Sequence, residues 1–110
     1  MVVTQISEVS KNRCKVYIDQ EFAFVLYKGE CRLYNIISGQ KLSREVYDKI
    51  MLEVLPKRAK LRAMNLLTKK DFTEEGIRKK LLDGYYNREQ IDEAVDYLKQ
   101  YGYIDDERYV

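Results

Sequence analysis

The hydrophobic pattern changes period about a third of the way along the chain. Arg13-Cys14-Lys15-Val16-Tyr17-Ile18 alternates, which puts Cys14, Val16 and Ile18 on one face of a strand. Asp19-Gln20-Glu21 is a short polar break, and Phe22-Ala23-Phe24-Val25-Leu26-Tyr27 follows as a second strand. The two runs predict a β-hairpin, although the loop between them has no glycine. Residues 2–9 supply a third strand, with Lys11-Asn12 turning into the next. A lone hairpin is marginal, so the apolar face of this sheet must rest on another element.

Helical spacing then takes over. Residues 30–36 read as a short helix or turn, and Ile37-Ser38-Gly39-Gln40 as a loop. Ser43 is an N-cap for a helix carrying Val46, Tyr47, Ile50, Met51 and Val54 at helical intervals. Pro56 predicts a boundary, because it disfavours helix at Leu55 and suits the first turn of a new helix. That helix runs to about Thr68. Ala59, Ala63, Leu66 and Leu67 form its apolar stripe, and Arg58, Arg62 and Lys69 a basic stripe on the other side.

Thr73 caps the next helix, which turns Ile77 and Leu81 inward and is expected to end with Gly84 in a left-handed conformation. Gly76 lies inside it and should weaken it by about 1 kcal/mol relative to alanine. Asn87 and Gln90 make a capping-box start for a last helix that buries Ile91, Ala94, Val95, Leu98 and Tyr101. Its other face turns Glu89, Asp92, Glu93 and Asp96 outward, and Gly102 ends it. Tyr97, Tyr101 and Tyr103 are expected to pack. Tyr85 and Tyr86 are expected to be partly exposed, where stacking on a base or a partner competes with packing between helices. Three helices with short connections form a compact bundle.

The fold class is therefore α+β: a small N-terminal antiparallel hairpin or sheet followed by helices. Residues 1–55 form a β-rich extension with a helix, and 56–104 a three-helix unit. Residues 105–110 open a further helix with Asp105-Asp106-Glu107, shortly before the sequence stops. An unpaired apolar end near Tyr109 offers a route to a homodimer.

Composition narrows the chemistry. With 45% hydrophobic and 35% charged residues, 110 residues suit one compact soluble domain or two small ones rather than a disordered chain. Histidine is absent, which removes imidazole catalysis and the commonest zinc ligand. Cys14 and Cys31 are too few for a metal cage, and their apolar setting suggests buried free thiols in a reducing cytosol. No apolar run approaches the roughly 18–20 residues of a membrane span, and nothing resembles a signal peptide. A cytoplasmic protein with no membrane contact is expected. The pairs Glu74-Glu75 and Asp105-Asp106 stand at helix starts, where negative charge complements unpaired N–H groups. No phosphate-cradling loop, nucleophile elbow or metal-ligand spacing is present. The sequence thus gives no grounds for an enzyme, a cofactor or a metal.

Charge is unevenly distributed. Residues 57–82 carry nine basic and three acidic groups, residues 83–110 three basic and eight acidic. The candidate contact residues for DNA phosphates or an acidic protein surface are Arg58, Arg62, Lys69, Lys70, Arg78, Lys79 and Lys80. Arg58 and Arg62 lead, since a guanidinium fork can pair two oxygens at once. The competing reading is a solvated helix face.

Three segments also carry a family resemblance. They are Arg62-Ala63-Met64-Asn65-Leu66-Leu67, Thr73-Glu74-Glu75-Gly76-Ile77-Arg78-Lys79-Lys80-Leu81, and the run from Tyr97 through Gly102-Tyr103-Ile104-Asp105-Asp106-Glu107-Arg108-Tyr109. In order and spacing they resemble the bacterial RecX regulatory proteins. Tyr17-Ile18-Asp19-Gln20-Glu21-Phe22-Ala23-Phe24 and Gly39-Gln40-Lys41-Leu42-Ser43 are similar to the β-containing N-terminal extension of longer members. The resemblance implies a RecX-type three-helix repeat, the first of a tandem series whose later members are absent from this sequence. It implies a non-enzymatic regulator that lodges in the groove of a RecA filament on single-stranded DNA and generally inhibits it. It also places this chain in recombination, DNA repair and the SOS response. The alternative is a direct DNA-binding, winged-helix-like module, favoured by the basic segment. Against it, no single helix carries a base-reading set of Asn, Gln and Arg.

Overall fold

The computed structural model describes residues 1–104, so the expectations for 105–110, including a dimer through Tyr109, lie outside the described residues. The chain divides into two compact units, Met1–Met51 and a second that begins at Leu52.

The first unit is built on an antiparallel sheet of three strands in sequence order, β1 (Val3–Glu8), β2 (Arg13–Ile18) and β3 (Glu21–Tyr27). Alternation holds in β2, where Cys14, Val16 and Ile18 are buried; in β3 Phe24, Val25 and Leu26 are buried in succession, and Val3, Ile36, Leu42 and Ile50 are buried as well. Tyr47 leans on Phe24 with ring centroids 6.3 Å apart. Segment 39–42 lies along β1: Val3 N–H donates to the Gln40 carbonyl at 2.9 Å, and Gly39 N–H to the Val3 carbonyl at 2.7 Å. Gly39 has φ +89°, a conformation open to glycine without strain. Cys14 and Cys31 are free thiols; Cys31 is half-buried, and that burial pushes its pKa up.

The β2–β3 turn explains how a hairpin forms without glycine. Asp19 and Gln20 both have positive φ, 50° and 71°, as a two-residue turn matched to strand twist requires. Strand β1 and the residue before it brace them. Asp19 Oδ1 accepts from Val2 N–H at 3.1 Å, and Gln20 N–H donates to Thr4 Oγ1 at 3.0 Å.

Helix α1 (Lys28–Leu33) closes with Asn35 at φ 54°. Ser43 Oγ caps α2 (Arg44–Lys49) by accepting from Val46 N–H at 3.2 Å. The break expected at Pro56 does not occur. A π-helical stretch, Ile50–Val54, leads directly into α3 (Leu55–Lys69), so Leu55 is helical. The wider winding changes the hydrogen-bond register just where proline has no N–H to give. Pro56 then sits in the first turn of α3, where that donor is not needed.

In the second unit α3, α4 (Glu74–Asp83) and α5 (Arg88–Gln100) enclose one core. It comprises Ala59, Ala63 and Leu66 from α3, Ile77 and Leu81 from α4, and Ile91, Ala94, Val95 and Leu98 from α5, with Ile104 beyond. Alanines at 59, 63 and 94 leave little side chain between α3 and α5, the pair that packs most extensively. Thr73 Oγ1 accepts from Gly76 N–H at 3.1 Å, and the Asn87–Gln90 capping box is complete in both directions.

Two local expectations are corrected, one at Gly84 and one at Tyr101 and Tyr103. Gly84 has φ −84°, while Tyr85 takes the left-handed position at φ 70°. Tyr86 N–H then reaches the Leu81 carbonyl and Tyr85 N–H that of Leu82, a Schellman closure. What Gly84 supplies is room: a β-carbon there would stand 3.2 Å from the Tyr86 ring. Gly76 likewise sits in the first turn of α4, and its β-carbon would meet the Phe72 ring at 3.2 Å. Its helix-propensity cost therefore accompanies a packing role. Finally, Tyr101 and Tyr103 are 60% and 51% exposed, because the chain leaves α5 through Gly102 at φ +74° before Ile104 returns to the core.

Gln20 is exposed and left-handed, so Gln20→Gly should stabilise the first unit by about 1 kcal/mol through relief of backbone strain. A rise in the urea midpoint for loss of sheet structure checks this. An unchanged or lower midpoint would show that the β1 braces already remove the strain.

Candidate partner-binding surface

Helices α3 and α4 bring the basic segment onto a folded scaffold. On α3 Arg62 is exposed and Arg58 half-buried; Lys69 ends the helix, and Lys70, just beyond it, is extended at φ −167°. The Lys70 ammonium stands 4.9 Å from the centre of the Phe72 ring. At about 100° per residue, Arg62 lies roughly 40° from Leu66. The basic stripe therefore flanks the buried one rather than opposing it, which accounts for the partial burial of Arg58. On α4, Lys79 and Lys80 are exposed. Among the described residues, Arg62, Lys69, Lys79 and Lys80 make no ion pair.

Arg78 is placed differently. Its Nη1 donates to Asp92 Oδ1 at 2.6 Å and its Nε to Glu74 Oε2 at 3.0 Å, so it ties α4 to α5. Lys99 pairs with the other oxygen of Glu74, and Arg88 approaches Asp92 at 4.0 Å. The result is a chain of alternating charge from Lys99 through Glu74, Arg78 and Asp92 to Arg88. Lys99 and then Arg78 hold the Glu74 carboxyl below its usual range, while Asp92 and then Glu74 push the guanidinium pKa up against the opposing effect of burial. Lys60 forms a second tie, 3.3 Å from Glu93 and 5.5 Å from the centre of the Tyr97 ring. Asp92, expected to face outward, is thus half-buried and paired.

A further feature of this surface is apolar. Leu61 on α3 is 61% exposed and Leu82 on α4 is 64% exposed. Leu61 stands one turn from Lys57 and Arg58, and Leu82 one turn from Lys79. Counting only inward leucines hides these two. Their signal in the sequence is an off-stripe leucine within a basic helix. Along α5 the sign reverses, with an open cleft of about 530 Å³ lined by Lys60, Asp92, Glu93, Asp96 and Tyr97.

This pairing of a three-stranded sheet with a capped, charge-tied three-helix domain also defines the class to which the chain belongs. Residues 59–98 match a family model described as RecX, first three-helix domain. Curated relatives named "Regulatory protein RecX" align along nearly the whole chain. The Caldanaerobacter subterraneus subsp. tengcongensis protein is 33% identical over 110 residues, covering 99% of this chain and 56% of the relative. The Clostridium acetobutylicum protein is 30% identical over 99 residues, covering 90% and 46%. The Clostridioides difficile protein is 25% identical over 107 residues, covering 96% and 50%. A solved structure, "Crystal structure of regulatory protein RecX", shares the fold with a TM-score of 0.53 and 23% identity, covering 98% of this chain and 54% of that one. The chain belongs to the RecX family of regulatory proteins, and it spans about half the length of the curated relatives it matches.

The Glu74 network makes stability depend on pH in a defined direction. A carboxyl whose folded pKa is depressed stabilises fully above its unfolded pKa of about 4.3 and progressively less as pH falls through the folded value. Glu74→Gln should therefore lower the urea midpoint at pH 7, by an amount corresponding to about 1 kcal/mol for a partly exposed network. The difference should shrink as pH falls through the depressed folded value, where the parent carboxyl also becomes neutral. Equal midpoints at pH 7 would remove the network from the stability of this domain.

Proposed function

We propose that this chain is part of a non-enzymatic, cytoplasmic regulator that inhibits the RecA recombinase from the groove of its filament on single-stranded DNA. The repeat at residues 56–104 docks, through Arg58, Arg62, Lys69, Lys70, Lys79 and Lys80. Arg78 holds the repeat in shape and contributes through its position. The observation that carries this reading is the exposure of Leu61 and Leu82 among those cations. Phosphates need only positive charge and hydrogen-bond donors, whereas a protein surface also rewards desolvated apolar anchors surrounded by charge. Membership in the RecX family supports RecA as that protein.

Co-sedimentation with preassembled RecA–single-stranded-DNA filaments tests the reading at two salt concentrations. The combined Arg62→Glu and Lys79→Glu variant should lose at least about tenfold in capture at low salt. Leu61→Ser with Leu82→Ser should lose capture at both salt concentrations, because burial of apolar area is not screened. All four positions are exposed, so the fold should hold. Capture unaffected by either variant would overturn the proposed surface. Affinity for naked duplex DNA that equals affinity for filament would favour the direct DNA-binding module instead.

A further inference from the structure

The face of the N-terminal sheet opposite Phe24 and Leu26 has a composition that its β-bulges create: Val25 at its centre is buried, while Phe22 and Tyr27 on either side stand out. Below the turn, β2 and β3 pair Ile18 with Glu21 and Tyr17 with Phe22, but the next pair is Val16 with Phe24. Ala23 is the extra residue. Without it Phe22 would share the core face with Phe24 and Leu26; with it, Phe22 changes face and joins Tyr17. A second bulge at Thr4, between Val3 and Gln5 of β1, brackets Tyr17 on its other side. The Tyr17 and Phe22 rings meet edge to face, with centroids 6.0 Å apart and planes at 74°.

The rest of this face continues the pattern. Lys15 pairs with Val25 in the next row and Arg13 with Tyr27 in the row after. Phe22 and Tyr27 are 43% and 46% exposed, a large apolar area to leave in water at the solvent face of so small a sheet. Residues 13 and 17 are about 13 Å apart along an extended strand, so the Tyr17–Phe22 pair and Tyr27 flank the row of Lys15, with Arg13 beside Tyr27.

Aromatic rings with a lysine between them and an arginine beside the last suit a chain of alternating bases and phosphates. Bases stack on the rings whatever their identity, and the cations meet the backbone between them. A duplex hides its base faces and would use only the charge. We propose that this sheet face is a sequence-tolerant binding site for single-stranded DNA, with Tyr17, Phe22 and Tyr27 stacking bases and Arg13 and Lys15 meeting phosphates. The choice of DNA over RNA rests on the recombinase reading above; the site itself does not, since it uses none of the residues of α3 and α4.

Fluorescence anisotropy of the whole chain with a labelled 15-nucleotide oligo(dT), without recombinase, tests it. Phe22→Ser with Tyr27→Ser keeps the charge and alters two exposed positions. It should weaken binding at least about tenfold, with unchanged circular dichroism. Arg13→Gln with Lys15→Gln should flatten the slope of log affinity against log salt by about 1.4, two phosphates at roughly 0.7 each. No binding by the parent chain, or equal binding by the aromatic variant, would overturn the site. Tighter binding of oligo(rU) than oligo(dT) would overturn its assignment to DNA. Loss of filament capture through Arg62 and Lys79 would leave this result standing, and the reverse also holds.

Discussion

Arg78 lies between the carboxylates of Glu74 and Asp92, and this placement divides the cations of the helical domain into two groups. Arg78, Lys60 and Lys99 face acidic partners from neighbouring helices. Arg62, Lys69, Lys79 and Lys80 remain toward solvent. The acidic α5 therefore has a structural reason to be acidic: it is the counterpart that lets two basic helices pack beside it. Individually such partly exposed pairs contribute little. Linked through shared carboxylates, they fix which way each helix turns, and thus which cations remain for a partner. The alanine seam between α3 and α5 imposes the complementary constraint, since close packing admits a single rotation of the apolar stripe.

Local chemistry made much of this legible in the sequence. The caps at Ser43, Thr73 and Asn87 with Gln90 depend on residues within one turn, and each forms as its sequence requires. The alternation of Cys14, Val16 and Ile18 likewise needed only the strand period. What sequence reading missed depends on register. Whether Pro56 breaks a helix turns on the winding before it, and the π-helical stretch is invisible to a 3.6-residue template. That Tyr85, not Gly84, adopts positive φ follows from where the Tyr86 ring packs. The basic segment was legible as charge, but separating Arg78 from Arg62 required the opposing helix.

The sheet gives the clearest case of a property that composition cannot show. Phe22, Phe24 and Leu26 form an alternating triplet, and an unbroken strand would bury all three. One inserted residue divides them, sending Phe22 outward while Phe24 stays 1% exposed. A bulge loses a ladder hydrogen bond and leaves Phe22 43% exposed, which the edge-to-face contact with Tyr17 offsets only in part. A ligand that covers the ring would supply the compensating free energy.

If the helical domain docks as proposed, its cations and exposed leucines act on different parts of the binding reaction. Long-range attraction by Arg62, Lys79 and Lys80 accelerates encounter and fades with salt over about a Debye length. Burial of Leu61 and Leu82 acts only after contact, and therefore on dissociation. On the proposed reading, a regulator that must reach a highly charged filament quickly, yet remain removable, would benefit from separating the two. Charge alone would hold it on any nucleic acid, and apolar area alone would hold it on any exposed hydrophobic patch. Placing both on the same two helices makes residence depend on a surface that is acidic and apolar together. A protein groove can present that combination, and a bare phosphate backbone cannot.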